Sequence, residues 1–256
     1  MIPAKLKTQI IKLHQKKYRK LHNEFLVEGV KGIEEAIKKN AGVLFLVVAE
    51  DAMAEVKIGN LIKSVKKSGI EVYSCDKKDI NKIKNTVTYP GITAVVKSKN
   101  FDLKDLLDGK PILAFDKISD PGNLGTIIRT AEWFGLNNFL LSEDSVDPYN
   151  DKSVRSTMGS IFNAKLYLSE DFSGALKKLK SDGYKIVLLD IEGEDLNKMK
   201  PTKKTVYLFG SESHGLSPAL EKFIDKRYTI KGKGDAESLN LSISAGILLS
   251  KLYGYC

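Results

Sequence analysis

Short apolar runs closed by glycine, asparagine or aspartate alternate with stretches of helical spacing through most of this 256-residue chain. That alternation belongs to α/β folds and excludes sandwiches and bundles. In the C-terminal part it predicts strands at 112–115, 138–141, 164–168, 185–189, 206–209 and 227–230, and helices at 124–134, 151–158, 172–181, 218–223 and 241–252. A smaller block precedes it: a helix at 26–39 ending near Asn40 and Gly42, a strand at 43–49, a helix at 54–68 stopped at Gly69, and strands at 70–73 and 92–96. Polar sequence closed by Pro111 connects the two, with 101–107 also compatible with a short helix. The expected domains are therefore 1–98, a linker at 99–110, and 111–256.

Composition narrows the class. Hydrophobic residues at 42% can bury a core, and charged residues at 29% are an ordinary globular share. The longest apolar run, residues 43–49, is far short of the roughly 18 residues a membrane helix needs. The N-terminus shows no signal peptide, and Cys75 and Cys256 make neither a disulfide framework nor a zinc cluster. His14, His22 and His214 form no metal set, so a cytoplasmic protein without metal is expected. The net charge of +9 is unevenly placed: residues 1–100 carry twenty Lys and Arg against ten Asp and Glu, the remainder twenty-one against twenty-two. Lys16, Lys17, Arg19 and Lys20 lie in a run of cations that precedes the first acid, Glu24. Such a run is either a solvated helix face or a nucleic-acid-binding surface, and confinement of the surplus to one domain favours a polyanion.

Three segments place polar residues and glycines where α/β strands end. In Asp120-Pro121-Gly122-Asn123-Leu124-Gly125-Thr126-Ile127-Ile128-Arg129, a proline-glycine turn leads to Asn123, positioned to cap a helix that carries Arg129. A helix N-terminus at a strand's carboxyl end is a usual ligand position, although an ordinary turn with a solvated arginine reads the same way. In Leu208-Phe209-Gly210-Ser211-Glu212-Ser213-His214-Gly215, a strand breaks into two glycines flanking a carboxylate. Gly210 and Gly215 permit close backbone approach of a flat ligand, while Glu212 alone is also explained by a helix dipole. In Ala236-Glu237-Ser238-Leu239-Asn240-Leu241-Ser242, small polar residues open an apolar helix, which by itself reads as an N-capped core helix.

Together the three segments resemble the signature motifs of the SpoU, or TrmH, family of RNA ribose 2′-O-methyltransferases in the SPOUT superfamily. Asn123 and Arg129 match the first motif, Gly210, Glu212 and Gly215 the second, and Ser238, Leu239 and Asn240 the third. Arg155 and Gly159 are similar to a further segment between them, and residues 16–36, with Phe25-Leu26-Val27-Glu28-Gly29, resemble an N-terminal substrate-binding domain like small ribosomal RNA-binding proteins.

The resemblance implies a mostly parallel sheet whose C-terminal segment is threaded as a trefoil knot, a homodimer, and S-adenosyl-L-methionine as cofactor. By the same likeness Arg129, Asn123, Glu212, Ser238 and Asn240 form the catalytic set, with Glu212 able to pair with Arg129. Gly210, Ile230, Leu239, Leu208 and Gly215 contact the cofactor. The substrate is then rRNA or tRNA, with rRNA favoured by the basic domain. A catalytically silent RNA-binding protein of ribosome assembly is the alternative. A dinucleotide enzyme is disfavoured because no Gly-x-Gly-x-x-Gly follows the early strands.

Overall fold

The structure, a computed structural model, describes residues 1–84 and 89–254. The chain forms two compact units, one of Met1–Lys99 with Tyr149–Phe162, the other of Asn100–Pro148 with Asn163–Cys256.

The first unit contains α1 (Ala4–Leu13), α2 (Lys16–His22), β1 (Glu24–Glu28), α3 (Val30–Lys38), β2 (Val43–Ala49), α4 (Val56–Lys67), β3 (Glu71–Cys75), α5 (Lys77–Ile83) and β4 (Ile92–Lys97). From the later segment it also takes α7 (Asp151–Thr157). Its sheet has the order β1-β4-β2-β3. β4 runs antiparallel to both neighbours, and β2 pairs parallel with β3.

The helix expected over 26–39 is corrected at its start: residues 24–28 form β1, paired from Glu24 with Lys97 to Glu28 with Thr93. Phe25, Leu26 and Val27 are all buried, and successive strand residues point to opposite faces, so both faces of β1 are covered. Helices α1, α2, α3 and α7 pack against it. Gly29, at φ +85, then turns the chain into α3 in a conformation that other residues rarely adopt. Helices α1 and α5 were not expected; each buries only two apolar side chains, Ile10 and Leu13 in one, Ile80 and Ile83 in the other.

The second unit contains β5 (Ile112–Phe115), α6 (Pro121–Trp133), β6 (Asn138–Ser142), β7 (Lys165–Ser169), α8 (Phe172–Ser181), β8 (Lys185–Asp195), β9 (Thr205–Phe209), β10 (Lys226–Thr229) and α9 (Leu241–Leu252). Its six strands lie in the order β10-β8-β9-β5-β6-β7, every pairing parallel. Parallel strands covered on both faces need continuous apolar runs, and all residues of β5 and β9 are buried. The rings of Phe115 and Phe209 stack at 5.1 Å between these strands.

Two details differ from expectation: residues 218–223 form a 3-10 turn rather than an α-helix, and β8 continues to Asp195, while the short helix allowed within the connecting stretch is a 3-10 turn at 103–106. That extension follows a register shift at Arg227/Tyr228, after which Glu194 and Asp195 pair with β10. The sheet order places β5 between β9 on one side and β6 on the other. The crevice at their carboxyl ends is the point where chain direction across the sheet reverses, the usual ligand position of open α/β sheets.

Candidate active site at the carboxyl ends of β5 and β9

The loop after β5 is built around Asp116 and Asp120. Asp116 is buried; its N–H donates to the Phe209 carbonyl at 2.9 Å and its Oδ2 accepts from the Ser217 N–H at 2.8 Å, which ties the exits of β5 and β9 together. Asp120, rather than Asn123, is the N-cap of α6: its Oδ1 accepts from the Asn123 N–H at 2.7 Å. Pro121 suits the first helical position, where no N–H is needed, so the helix begins three residues earlier than the apolar spacing suggested. Relieved of capping, Asn123 has its side chain available for other partners.

The loop after β9 closes on itself through Ser211 and Gly215. The Ser211 N–H donates to the Gly215 carbonyl at 2.8 Å and the Gly215 N–H to the Ser211 carbonyl at 3.1 Å. Gly210 is obligatory, since a Cβ there would lie 2.3 Å from the Gly215 carbonyl carbon. Gly215 itself adopts φ +66. Between them the loop presents Glu212 in an exposed position.

Glu212 joins the two loops. Its Oε2 accepts from the Ser119 N–H at 3.2 Å and from Ser119 Oγ at 3.0 Å, and its Oε1 accepts from Asn123 Nδ2 at 3.2 Å. Partial burial pushes its carboxyl up, but the Asn123 amide and the backbone and Ser119 donors outweigh this and hold the carboxyl below the ordinary glutamate range. The chain of bonds continues, because Asn240 Nδ2 donates to Asn123 Oδ1 at 3.0 Å. Asn240 is meanwhile the N-cap of α9, its Oδ1 accepting from the Ser242 N–H at 2.9 Å. Helices α6 and α9 pack together, with Phe134 stacked on Tyr253 at 5.7 Å.

Three of the five residues expected to be catalytic, Asn123, Glu212 and Asn240, thus meet in one network. Arg129 projects exposed from the same helix as Asn123 and, among the described residues, has no ion pair; both oxygens of Glu212 are occupied by Ser119 and Asn123. Ser238 is exposed in the loop preceding α9. Of the residues expected at a cofactor, Gly210 and Gly215 shape the Glu212 loop. Ile230 is half-buried just after β10, and Leu239 is exposed beside Asn240. Leu208 is fully buried in β9, so only its main chain is near the strand's end. Ser119, Asp116 and Asp120 were missed, although a Ser-Asp-Pro sequence after a strand is a capping signal.

In the first unit, Lys16, Lys17 and Lys20 are exposed along α2. Arg19 is buried, with Nη1 donating to the Leu13 carbonyl at 2.7 Å, so it joins α2 to the end of α1. Tyr18 lies under the ammonium groups of Lys12 and Lys17, at 5.3 and 5.9 Å from its centroid.

A cationic α/β unit together with a parallel sheet whose loops gather amides and a carboxylate at one edge is the architecture of an RNA methyltransferase. Solved structures agree. The SpoU methyltransferase AviRb from Streptomyces viridochromogenes, in complex with AdoMet, is 26% identical with a TM-score of 0.87, over 99% of this chain and 98% of that one. An AdoMet-bound rRNA methyltransferase from Sinorhizobium meliloti is 28% identical with a TM-score of 0.83, over 100% and 96%. The SpoU rRNA Methylase family matches residues 110–250, and the chain belongs to it. Residues 5–94 match the MRM3-like substrate binding domain. Among relatives, the 23S rRNA (guanosine(2553)-2′-O)-methyltransferase RlmP of Bacillus subtilis is 30% identical over 95% of this chain and 94% of its own length.

Proposed function

We propose that this protein is an S-adenosyl-L-methionine-dependent methyltransferase acting on a ribose 2′-hydroxyl of structured RNA, rRNA rather than tRNA. The observation that carries this reading is the continuous bond chain from Ser119 through Glu212 and Asn123 to Asn240, which holds three separate loops at the sheet's carboxyl edge.

The residues present suit the cofactor. Gly210 and Gly215 keep side chains off the loop, Ile230 and Leu239 supply apolar surface, and the chain between β10 and α9 is exposed throughout residues 231–240. S-adenosyl-L-methionine supplies a methyl group whose departure leaves a neutral thioether and needs no acid. The remaining difficulty is the ribose hydroxyl, a weak nucleophile that must be aligned and its developing charge met. Arg129, always cationic and without an internal partner among the described residues, is suited to that charge or to the adjacent phosphate. Asn123 and Asn240 orient the ribose, with Glu212 fixing the Asn123 amide and Ser238 extending the polar set.

Lys16, Lys17 and Lys20 on α2 provide the backbone-binding surface, and the charge surplus of the first hundred residues supports an RNA partner. The same reading includes a homodimer, for which Trp133 on α6 and Ile243 and Tyr253 at α9 are exposed apolar side chains. It also includes the threaded C-terminal segment of the family. Among the described residues no helix is long and apolar enough to cross a membrane, and a cytoplasmic location follows from an rRNA substrate.

The test is methyl transfer from radiolabelled S-adenosyl-L-methionine to RNA from cells lacking the protein, read as 2′-O-methylnucleosides. Arg129→Ala is expected to abolish transfer while cofactor binding survives. Retained transfer, or loss of cofactor binding, would move Arg129 out of the role given to it.

A further inference from the structure

Lined by none of the residues of the methylation site, an open cleft of about 940 Å³ lies in the first unit, a volume typical of ligand sites. Val27, Val30, Pro90 and Ile161 supply its apolar lining. One wall places a carboxylate beside a guanidinium: Arg155 Nη1 donates to Glu28 Oε2 at 3.1 Å. The Glu28 side chain is only 5% exposed, yet among the described residues its other oxygen has no hydrogen-bond donor. The Arg155 side chain is 40% exposed, and its remaining donors have no partner among the described residues. Burial pushes the Glu28 carboxyl above the ordinary range even with Arg155 beside it. Lys31, Lys57 and the carboxylate of Glu34, all exposed, also line it.

An apolar lining with a donor and an acceptor side by side suits a nucleobase edge, and the Lys31 and Lys57 ammonium groups suit the attached phosphate. Guanine presents an acceptor followed by two donors along its Watson–Crick edge. That order complements a guanidinium next to a carboxylate, with O6 toward Arg155 and the N1 and N2 hydrogens toward Glu28. Uracil has no exocyclic amine and places its one donor between two acceptors, one of which would face the carboxylate. Taking the partner to be RNA as proposed, we infer that this cleft captures one unpaired guanine of the substrate, at a nucleotide other than the one methylated. Sequence selection then resides partly in the first unit, separate from the Asn123–Glu212–Asn240 network.

Met158 lines the cleft and is exposed, and the chain has only four methionines, so its labelled methyl group reports on occupancy. The experiment titrates the methyl-labelled full chain with GMP, AMP, CMP and UMP and follows the Met158 resonance by NMR, assigned with Met158→Leu. GMP is expected to shift it at the lowest concentration and UMP at the highest. Glu28→Gln is expected to weaken GMP by about tenfold or more, as loss of a charged acceptor should. Asn60→Trp, at an exposed cleft position, is expected to block GMP without touching the ion pair. No shift with any nucleotide, a base other than guanine binding most strongly, or unchanged GMP binding in both variants would overturn the assignment. Methyl transfer plays no part in this readout, so a failed cleft and a failed methyltransferase are told apart.

Discussion

At the scale of single residues, the bonds of Glu212 decide how the site is held. Both oxygens act as acceptors, from Ser119 and from Asn123, and the orientation of Asn123 in turn sets that of Asn240. Glu212→Gln places an amide donor against one of these donors, so the chain breaks at a defined point. Methyl transfer is expected to fall about ten- to hundredfold, the worth of one charge-assisted hydrogen bond, with the loss mainly in kcat. The pH dependence has a definite sign. The folded carboxyl is held below its ordinary value of 4.5, so its contribution to stability is present above that value and is lost as pH falls through the lowered one. Thermal unfolding across a pH series checks this: the gap between wild type and Glu212→Gln should stay constant from neutral pH to about 5 and close only at greater acidity.

Helices and strands show how much the sequence disclosed and where it fell silent. The three loops of the site were legible because the glycines and amides that build them break strongly apolar strands, and Asn123, Glu212 and Asn240 do meet. The partner of Glu212 was not legible: Ser119 and Arg129 are both plausible neighbours in one dimension, and only the cap supplied by Asp120 turns the Asn123 side chain toward Glu212. β1 was misread because Phe25, Leu26 and Val27 are too few to show a period, and part of their cover comes from α7, more than a hundred residues further along the chain. On α2 the cations looked equivalent, yet Arg19 is buried at the α1 junction while its neighbours are exposed. Reversing Lys16, Lys17 and Lys20 to Glu is therefore expected to weaken RNA binding and flatten its salt dependence, whereas Arg19→Gln should lower Tm and leave the salt slope unchanged. Binding isotherms at several salt concentrations beside melting curves separate the two. The α1–α2 junction carries a second marker, His14. Its Nδ1 faces Asp151 Oδ2 at 2.9 Å and its Nε2 faces the Ile83 carbonyl at 2.7 Å; both are acceptors, so both ring nitrogens carry hydrogen. Burial pulls the imidazole's pKa down, but the Asp151 carboxylate and the Ile83 carbonyl outweigh this and raise it above 6.5. The pair's stabilisation is then complete below the unfolded value and is lost as pH rises through the raised folded one. His14→Gln should cost about 1–3 kcal/mol in urea unfolding at pH 6, with the gap narrowing as the buffer is made alkaline.

For the molecule as a whole, the consequential feature is that the chain's division in sequence is not its division in space. The polar connection near residue 100 looks like a domain boundary, but residues 149–162 lie in the first unit although they fall between strands of the second. They bring the Asp151 carboxylate to His14 and the Arg155 guanidinium to Glu28. They also bring Tyr149 and Phe162 against Phe25, at ring separations of 4.7 and 6.3 Å. Phe25 is among the largest fully buried side chains, and burial of one such aromatic is worth about 1.5–3 kcal/mol. A fragment of residues 1–99 alone would expose it and leave His14 and Glu28 without their charged partners. The fragment is therefore expected to unfold at markedly lower urea than the first unit does within the full chain. A fusion that appends residues 149–162 to the fragment through a flexible linker should recover most of the loss, since closing such a loop costs little more than a short one. Hydrogen exchange at the amides of β1 gives the full-chain reference. Equal protection of β1 in the fragment and the full chain would mean that the inserted segment rests on the unit without supporting it. Protection restored only by the fusion would mean that the unit cannot complete its core until the chain has passed through β5 and β6 and returned.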